Sequence, residues 1–341
     1  MYRQIRDDDV AFSARRSFGT IRHFFTLLSS GLVSLFFLLV FGKVAAKEKM
    51  RSSEFLADGA EIAGLKKDAI AGDPDAQLRL GVMAAAGVDR WVDHRGAIFW
   101  LRQAAEQGEP NAQMLSSMMY LEGLGVRRNY LQAARWARLS AAHGNPVSQL
   151  LMGALLEDGA GIKRDLEQAV YWYRQAAIHP VEIGARQRLG TLYLEGRGVP
   201  KDTGEGLKWL NESAEMGDAN AAFQLGMIYY DGRLVEQDYE KALHWYLAAA
   251  EEMSPEKSGG GLDVLFGQMA VGGEWYTRTV AQIMKRNPHV ARDARFYVGL
   301  MYETGRGTKQ DMEQSRQWYQ KAANAGDEIA RQRLLFLQDA D

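Results

Sequence analysis

The chain contains no cysteine. Disulfide staples, thiolate nucleophiles, cysteine-ligated zinc and iron–sulfur clusters are therefore excluded. It also lacks an excess of either charge. Its 41 Lys and Arg stand against 43 Asp and Glu, and an isoelectric point near 6.3 leaves no electrostatic footprint for nucleic acid. The six histidines (His23, His94, His143, His179, His244, His289) fall at unrelated places and never pair at metal-ligand spacing. Ser254-Pro255-Glu256-Lys257 has the serine–lysine spacing of penicillin-interacting enzymes, but in a turn-rich segment without companion motifs. Nothing else resembles a catalytic set. These absences argue against an enzyme and against a metal or small-molecule cofactor, and the reading expects neither.

What is present is globular in composition, with 47% apolar and 25% charged residues over 341 positions. One run departs from the rest. Phe24 to Gly42 is nineteen residues without a charge, which as a helix at about 1.5 Å per residue would span roughly 28 Å, near the hydrocarbon thickness of a bilayer. Five arginines precede it (Arg3, Arg6, Arg15, Arg16, Arg22), and Lys43, Lys47, Lys49 and Arg51 follow. The expected organisation is a tail over 1–23, a transmembrane helix or signal anchor over 24–42, a linker over 43–53 and a repeat domain over 54–341. Two readings of the apolar run stand. An uncleaved anchor fits its length, and a cleaved signal fits the small residues Val44-Ala45-Ala46. The first gives a single-pass inner-membrane protein with its repeats in the periplasm. The second gives a secreted or periplasmic protein cut near Ala46.

The remainder is periodic. Trp100, Trp136, Trp172, Trp209, Trp245 and Trp318 are spaced by 36, 36, 37, 36 and 73 residues. Asp93, Asn129, Asp165, Asp202, Asp238 and Asp311 each lie seven residues before one of them. Gly87, Gly123, Gly159, Gly196, Gly232 and Gly305 come six residues earlier again, and Gly81, Ser117, Gly153, Gly190, Gly226 and Gly299 six before those. A fixed period of this length is the mark of a stacked array. The glycine nearer the Asp suits a helix C-cap and the Asp or Asn an N-cap. Gln132, Gln168, Glu205 and Gln314, three residues past their caps, would complete capping boxes. Each unit is thus a helix pair, in which a small-residue pair such as Ala104-Ala105 or Ala176-Ala177 is expected to face the large tryptophan.

The pattern resembles the Sel-one-like repeat family, relatives of tetratricopeptide repeats, and is readable in Ala185 through Asp202 and in Ala169 through Ala177. The resemblance implies an all-α solenoid, an α/α superhelix of about seven helix pairs, that binds a protein or peptide partner. The 73-residue gap is expected to hold a degenerate unit: Gly267, Gly273 and Thr279 occupy late copies of the repeat positions, with a shortened second helix ending near Pro288. Residues 54–71 and 328–338 should cap the two ends. Candidate partner contacts are Trp91, Trp275 and Tyr276, off the periodic stripe, and Gln77, Gln113, Gln149, Gln187 and Gln224, expected to face outward from the first helices. The functional expectation is a membrane-anchored, envelope-facing scaffold or adaptor. A regulator of a membrane sensor or secretion machine is the alternative, and a cell-wall or polysaccharide hydrolase stands behind both.

Overall fold

The computed structural model describes residues 59–86, 93–179, 183–251 and 288–338. All of them fold into helices and short connections. The helices are α1 (Gly59–Ile70), α2 (Pro74–Ala86), α3 (His94–Glu106), α4 (Pro110–Glu122), α5 (Tyr130–Ala142), α6 (Pro146–Asp158) and α7 (Leu166–Ala177). They continue as α8 (Ile183–Glu195), α9 (Thr203–Glu215), α10 (Ala219–Asp231), α11 (Tyr239–Ala250), α12 (Pro288–Thr304), α13 (Met312–Asn324) and α14 (Glu328–Gln338). Two compact units divide them: one holds α1–α5 with the loop 158–164, the other the remainder. The apolar run 24–42 lies outside the described residues, as do Trp91, Trp275 and Tyr276. Among the described residues no helix is long and apolar enough to cross a membrane.

The punctuation read from the sequence sets the helix pairs. Gly123, Gly159, Gly196, Gly232 and Gly305 all adopt left-handed φ, between 67° and 75°, which ends the first helix at no steric cost. Asp93, Asn129, Asp165, Asp202, Asp238 and Asp311 each accept a hydrogen bond from the backbone N–H three residues on. The capping box is half of what was expected, for a definite reason. The N–H of every one of these caps is already donated to a carbonyl of the preceding helix, as from Asp93 to Ala84 and from Asp311 to Tyr302. No donor remains for a returning Gln or Glu.

In most pairs the fully buried large residue is the one after the tryptophan, although Trp136 and Trp318 are themselves buried. Leu101, Tyr173, Leu210, Tyr246 and Tyr319 are essentially inaccessible, whereas Trp100, Trp172, Trp209 and Trp245 are half-buried. Each of these knobs enters a hole left by a glycine twenty residues earlier. A Cβ on Gly81 would stand 2.6 Å from Leu101, and one on Gly226 the same distance from Tyr246. Gly153, Gly190 and Gly299 meet Tyr173, Leu210 and Tyr319 likewise. In the single unit where the hole is narrowed by Ser117, the knob shrinks to Ala137, and the serine hydroxyl donates to the Ala133 carbonyl at 2.8 Å. Volume is conserved across the repeats, as dense packing requires.

Successive pairs stack through a second recurrent approach. The second glycine of each Gly-x-Gly loop abuts the first residue of the preceding second helix: Gly125 meets His94, Gly161 meets Tyr130 and Gly198 meets Leu166. Gly307 makes the same approach to Tyr239, about one repeat further back in sequence. Tyr297 of α12 stacks on Tyr246 of α11 at 4.9 Å and 11°, and Arg295 donates to the Ala250 carbonyl at 3.3 Å. The expected degenerate unit, with Gly267, Gly273 and Thr279, lies outside the described residues. α12 sits against α11 as the next first helix does elsewhere. Pro288 also opens a helix rather than closing one, in keeping with the fixed φ that suits proline to the first turn. Residues 252–287 lie outside the described residues.

At the amino side α1 packs on α2 as an unpaired second helix, with Ala69, Ala76, Leu80, Leu65 and Trp100 in one cluster. At the carboxyl side α14 repeats a first helix, its Ala330 matching buried Ala76, Ala112, Ala185, Ala221 and Ala294. The hole position there is Leu335, 58% exposed. A leucine in the hole closes this end to a further second helix of the same geometry.

Candidate interaction surface

The five glutamines do not form an outward row, and that expectation is corrected. Gln77, Gln113 and Gln149 share one register and are buried; Gln187 lies one residue and Gln224 two residues off it. The amides of Gln77 and Gln113, 4% and 3% exposed, donate to the carbonyls of Ala69 and Ala105 at 3.0 and 3.1 Å. These carbonyls belong to the last turn of the preceding second helix, where intrahelical donors run out. Arg186 and Arg295 take the same register and the same task, donating to His179 and Ala250. Long donors recur there and tie the next first helix to the helix-end carbonyls; those of Ala69 and Ala105 also accept from the Gly72 and Gly108 N–H groups. Gln187 and Gln224 instead meet Thr191 at 3.4 Å each.

Two buried carboxylates tie neighbouring helices. Glu157 accepts from the Tyr173 hydroxyl at 3.0 Å and pairs with Arg197 at 3.3 Å and Arg188 at 4.0 Å. Glu303 accepts from Tyr319 at 2.7 Å and is held by both arms of the Arg333 guanidinium. The Glu303 hydrogen bond holds the Arg333 guanidinium above its ordinary pKa. Burial, followed by the Glu303 charge, pushes the Tyr319 phenol well up, so it stays a donor. At the surface beside a helix end, Glu195 pairs with Arg197 at 2.8 Å. The interior acid is Glu157 rather than its neighbour Asp158.

The first helices do present a recurring side chain to solvent, one that was not singled out in the sequence. Tyr120, Tyr193, Tyr229 and Tyr302 stand at one register, each half-buried. Tyr193, Tyr229 and Tyr302 belong to one compact unit. There the Arg174 guanidinium lies 5.7 Å from the Tyr193 ring centre and donates to its hydroxyl, while the Lys241 ammonium lies 5.4 Å from the Tyr229 ring. Lys241 is fixed in turn by Asp238 at 3.0 Å. Rigid aromatic rings with a polar tip, braced by cations, are the chemistry that protein surfaces use to hold partners. A readable signal existed: each tyrosine lies three residues before a helix-end glycine. Among the described residues, no group of His, Asp and Glu could hold a metal ion.

With this geometry established, the chain can be set beside known proteins. The pattern of the Sel1 repeat matches residues 74–109, 110–145, 146–179, 184–218, 219–252 and 292–327, passing over the same stretch that the stacking passes over. The structure of a Sel1 repeat protein from Oxalobacter formigenes is similar at 26% identity and a TM-score of 0.58, covering 78% of this chain and 99% of that one. The structure of c5321, a protective antigen present in uropathogenic Escherichia coli strains and displaying an SLR fold, is similar at 27% identity and a TM-score of 0.53. That likeness covers 80% of this chain and spans 66% of the length of c5321. No curated protein matches the sequence.

Proposed function

The chain belongs to the Sel1 repeat family, and from that premise we propose that it is an envelope-facing scaffold or adaptor, anchored in a membrane by residues 24–42, that holds a protein or peptide partner on its first-helix tyrosines. Sel1 repeat proteins typically mediate protein–protein interaction. The observation that carries the site is the register shared by Tyr193, Tyr229 and Tyr302 within one compact unit. The recurring interior positions are consumed by packing and by helix-end carbonyls, which leaves this register as the recurring aromatic surface of the first helices. The membrane anchor rests on the length and uncharged character of Phe24–Gly42. The repeats then stand outside the cytoplasm.

Photo-crosslinking in cells tests the binding site. A benzophenone amino acid at Tyr193, Tyr229 or Tyr302 captures one common protein, and the same probe at buried Gln113 captures none. Equal capture from the tyrosine and glutamine positions overturns the assignment. A reporter active only outside the cytoplasm, fused at the carboxyl end, reads the topology; activity of a cytoplasm-only reporter there overturns it.

A further inference from the structure

The first compact unit carries a surface that helix stability does not explain. Second helices gain from an acidic first turn, where a carboxylate meets the positive end of the helix dipole. α7, α9, α11 and α13 follow this with Glu167, Glu205, Glu240 and Glu313. α3 and α5 have no acidic residue there. α3 carries Arg95 in its first turn, against the dipole, and α5 carries Leu131. Departures from a local rule without a local gain point to function.

Around these two helices the charge is arranged accordingly. Residues 93–143 contain six arginines against four acidic residues, whereas residues 201–251 contain four basic against ten acidic. All six arginines (Arg95, Arg102, Arg127, Arg128, Arg135, Arg138) are exposed. Of these six, only Arg102 meets a carboxylate among the described residues, Glu106 at 3.1 Å. The same surface bears uncovered apolar side chains: Phe99 is 55%, Leu131 62% and Leu139 40% exposed. Leu131, Arg135, Arg138 and Leu139 follow at i, i+4, i+7 and i+8, and so share one face of α5. Arg95, Phe99 and Arg102 share the corresponding face of α3. Through Gly125 the loop bearing Arg127 and Arg128 lies against His94 and Arg95 at the start of α3.

We propose that this face docks on an anionic bilayer surface, its arginines taking lipid phosphates and Phe99, Leu131 and Leu139 entering the interfacial layer. Guanidinium groups suit phosphate because their fork binds two oxygens at once. The inference rests on the membrane-anchor reading given above. Residues 43–58 separate the apolar run from α1, and sixteen residues reach at most about 55 Å, so an anchored chain holds the start of this unit within that reach of the bilayer. An acidic protein would answer the same charge. The uncovered apolar side chains and the short tether favour the bilayer.

The absence of native cysteine permits a direct test on the full chain. Leu131→Cys, labelled with an environment-sensitive fluorophore, is mixed with vesicles of phosphatidylcholine alone or with about one-third phosphatidylglycerol. In the anionic vesicles the emission shifts to the blue and a lipid-borne quencher reduces it by about twofold or more. The shift is lost in about 0.5 M salt and in the folded Arg135→Glu/Arg138→Glu variant. The same label at Leu234→Cys, in the acidic region, stays in water. A Leu131 label that stays in water with both vesicles overturns the docking face. So does a label that moves only when soluble polyglutamate is added, which would assign the face to an acidic protein. Flotation with the neutral vesicles reads the anchor separately. A chain that floats with them but keeps its label in water loses the docking face and retains the anchor. One that fails to float yet buries its label in anionic vesicles retains the docking face alone.

Discussion

Two kinds of junction fill the same socket in this array. At Glu157 and Glu303 the socket is ionic: a tyrosine knob donates to the carboxylate, and an arginine from the following first helix, Arg188 or Arg333, closes over it. At the α11–α12 junction the carboxylate position holds Tyr230 and the arginine position holds Tyr297, their rings 6.0 Å apart. The loop arginine keeps its place in both. Arg197 reaches Glu157 across 40 residues and Arg306 reaches the Tyr230 hydroxyl across 76, a difference of one repeat. The stack is therefore set by complementary sockets rather than by adjacency in sequence. A repeat-length of chain can be passed over wherever the facing surfaces still match.

Breaking the aromatic junction should have the largest effect. Tyr297→Ala removes a buried ring stacked on Tyr246 and is expected to cost about 3–5 kcal/mol in chemical denaturation. Breaking the ionic junction should cost less. Glu303→Ala strands Tyr319 and the part-buried Arg333, with an expected loss of about 1–3 kcal/mol. A sharper test keeps the rings and removes one oxygen. Tyr319→Phe should cost about 1 kcal/mol, because Glu303 loses a donor, while Tyr246→Phe should be neutral or stabilising, because that hydroxyl is buried without a hydrogen-bond partner in the structure. Equal losses from the two would contradict the distinction between sockets.

The helix caps should not share it. Hydrogen bonds from the Lys241 backbone and side chain hold the Asp238 carboxyl below its ordinary pKa. A depressed carboxyl stabilises the fold above its unfolded-state pKa and loses that contribution as pH falls through the folded value. Asp238→Asn should thus lower the Tm slightly at neutral pH, with the gap closing in acid below about pH 4. The smallest expected effect is none. Replacing residues 251–291 by a four-residue connection with the sequence of Glu106–Glu109 should leave the α11–α12 junction intact, with Tm within a few degrees of the parent and a Tyr230–Arg306 double-mutant coupling that persists. A large loss of Tm would show that the skipped stretch supports the stack.

How much of this was legible in the sequence depended on whether a position answers to its own backbone or to a neighbouring helix. The left-handed glycines and the Asp caps were readable because φ and the first-turn N–H groups are local matters. The tryptophan period located the repeat, but at Trp100, Trp172, Trp209 and Trp245 the ring is only half-buried and the next residue fills the core. Residues 100 and 101 lie next to each other on the helix, and only the hole at Gly81 shows which one enters. The glutamine row misled in the same way. A polar side chain at a regular spacing looks solvent-facing until the helix-end carbonyl that it donates to is in place. The tyrosines three residues before the helix-end glycines have a fixed offset, a local signal as regular as that of the glutamines.

The sequence by itself determined that this chain is an array of capped helix pairs, that each pair is about 36 residues long, and which residues begin and end most of the helices. Those features follow from hydrogen bonds and backbone angles within a few residues of one another. Only the tertiary structure decided which side chain fills each hole, that the stack runs from α11 directly to α12, and that a tyrosine can replace a buried carboxylate in the socket. These depend on surfaces brought together from distant parts of the chain, where volume and hydrogen-bond satisfaction, not spacing, select the partner.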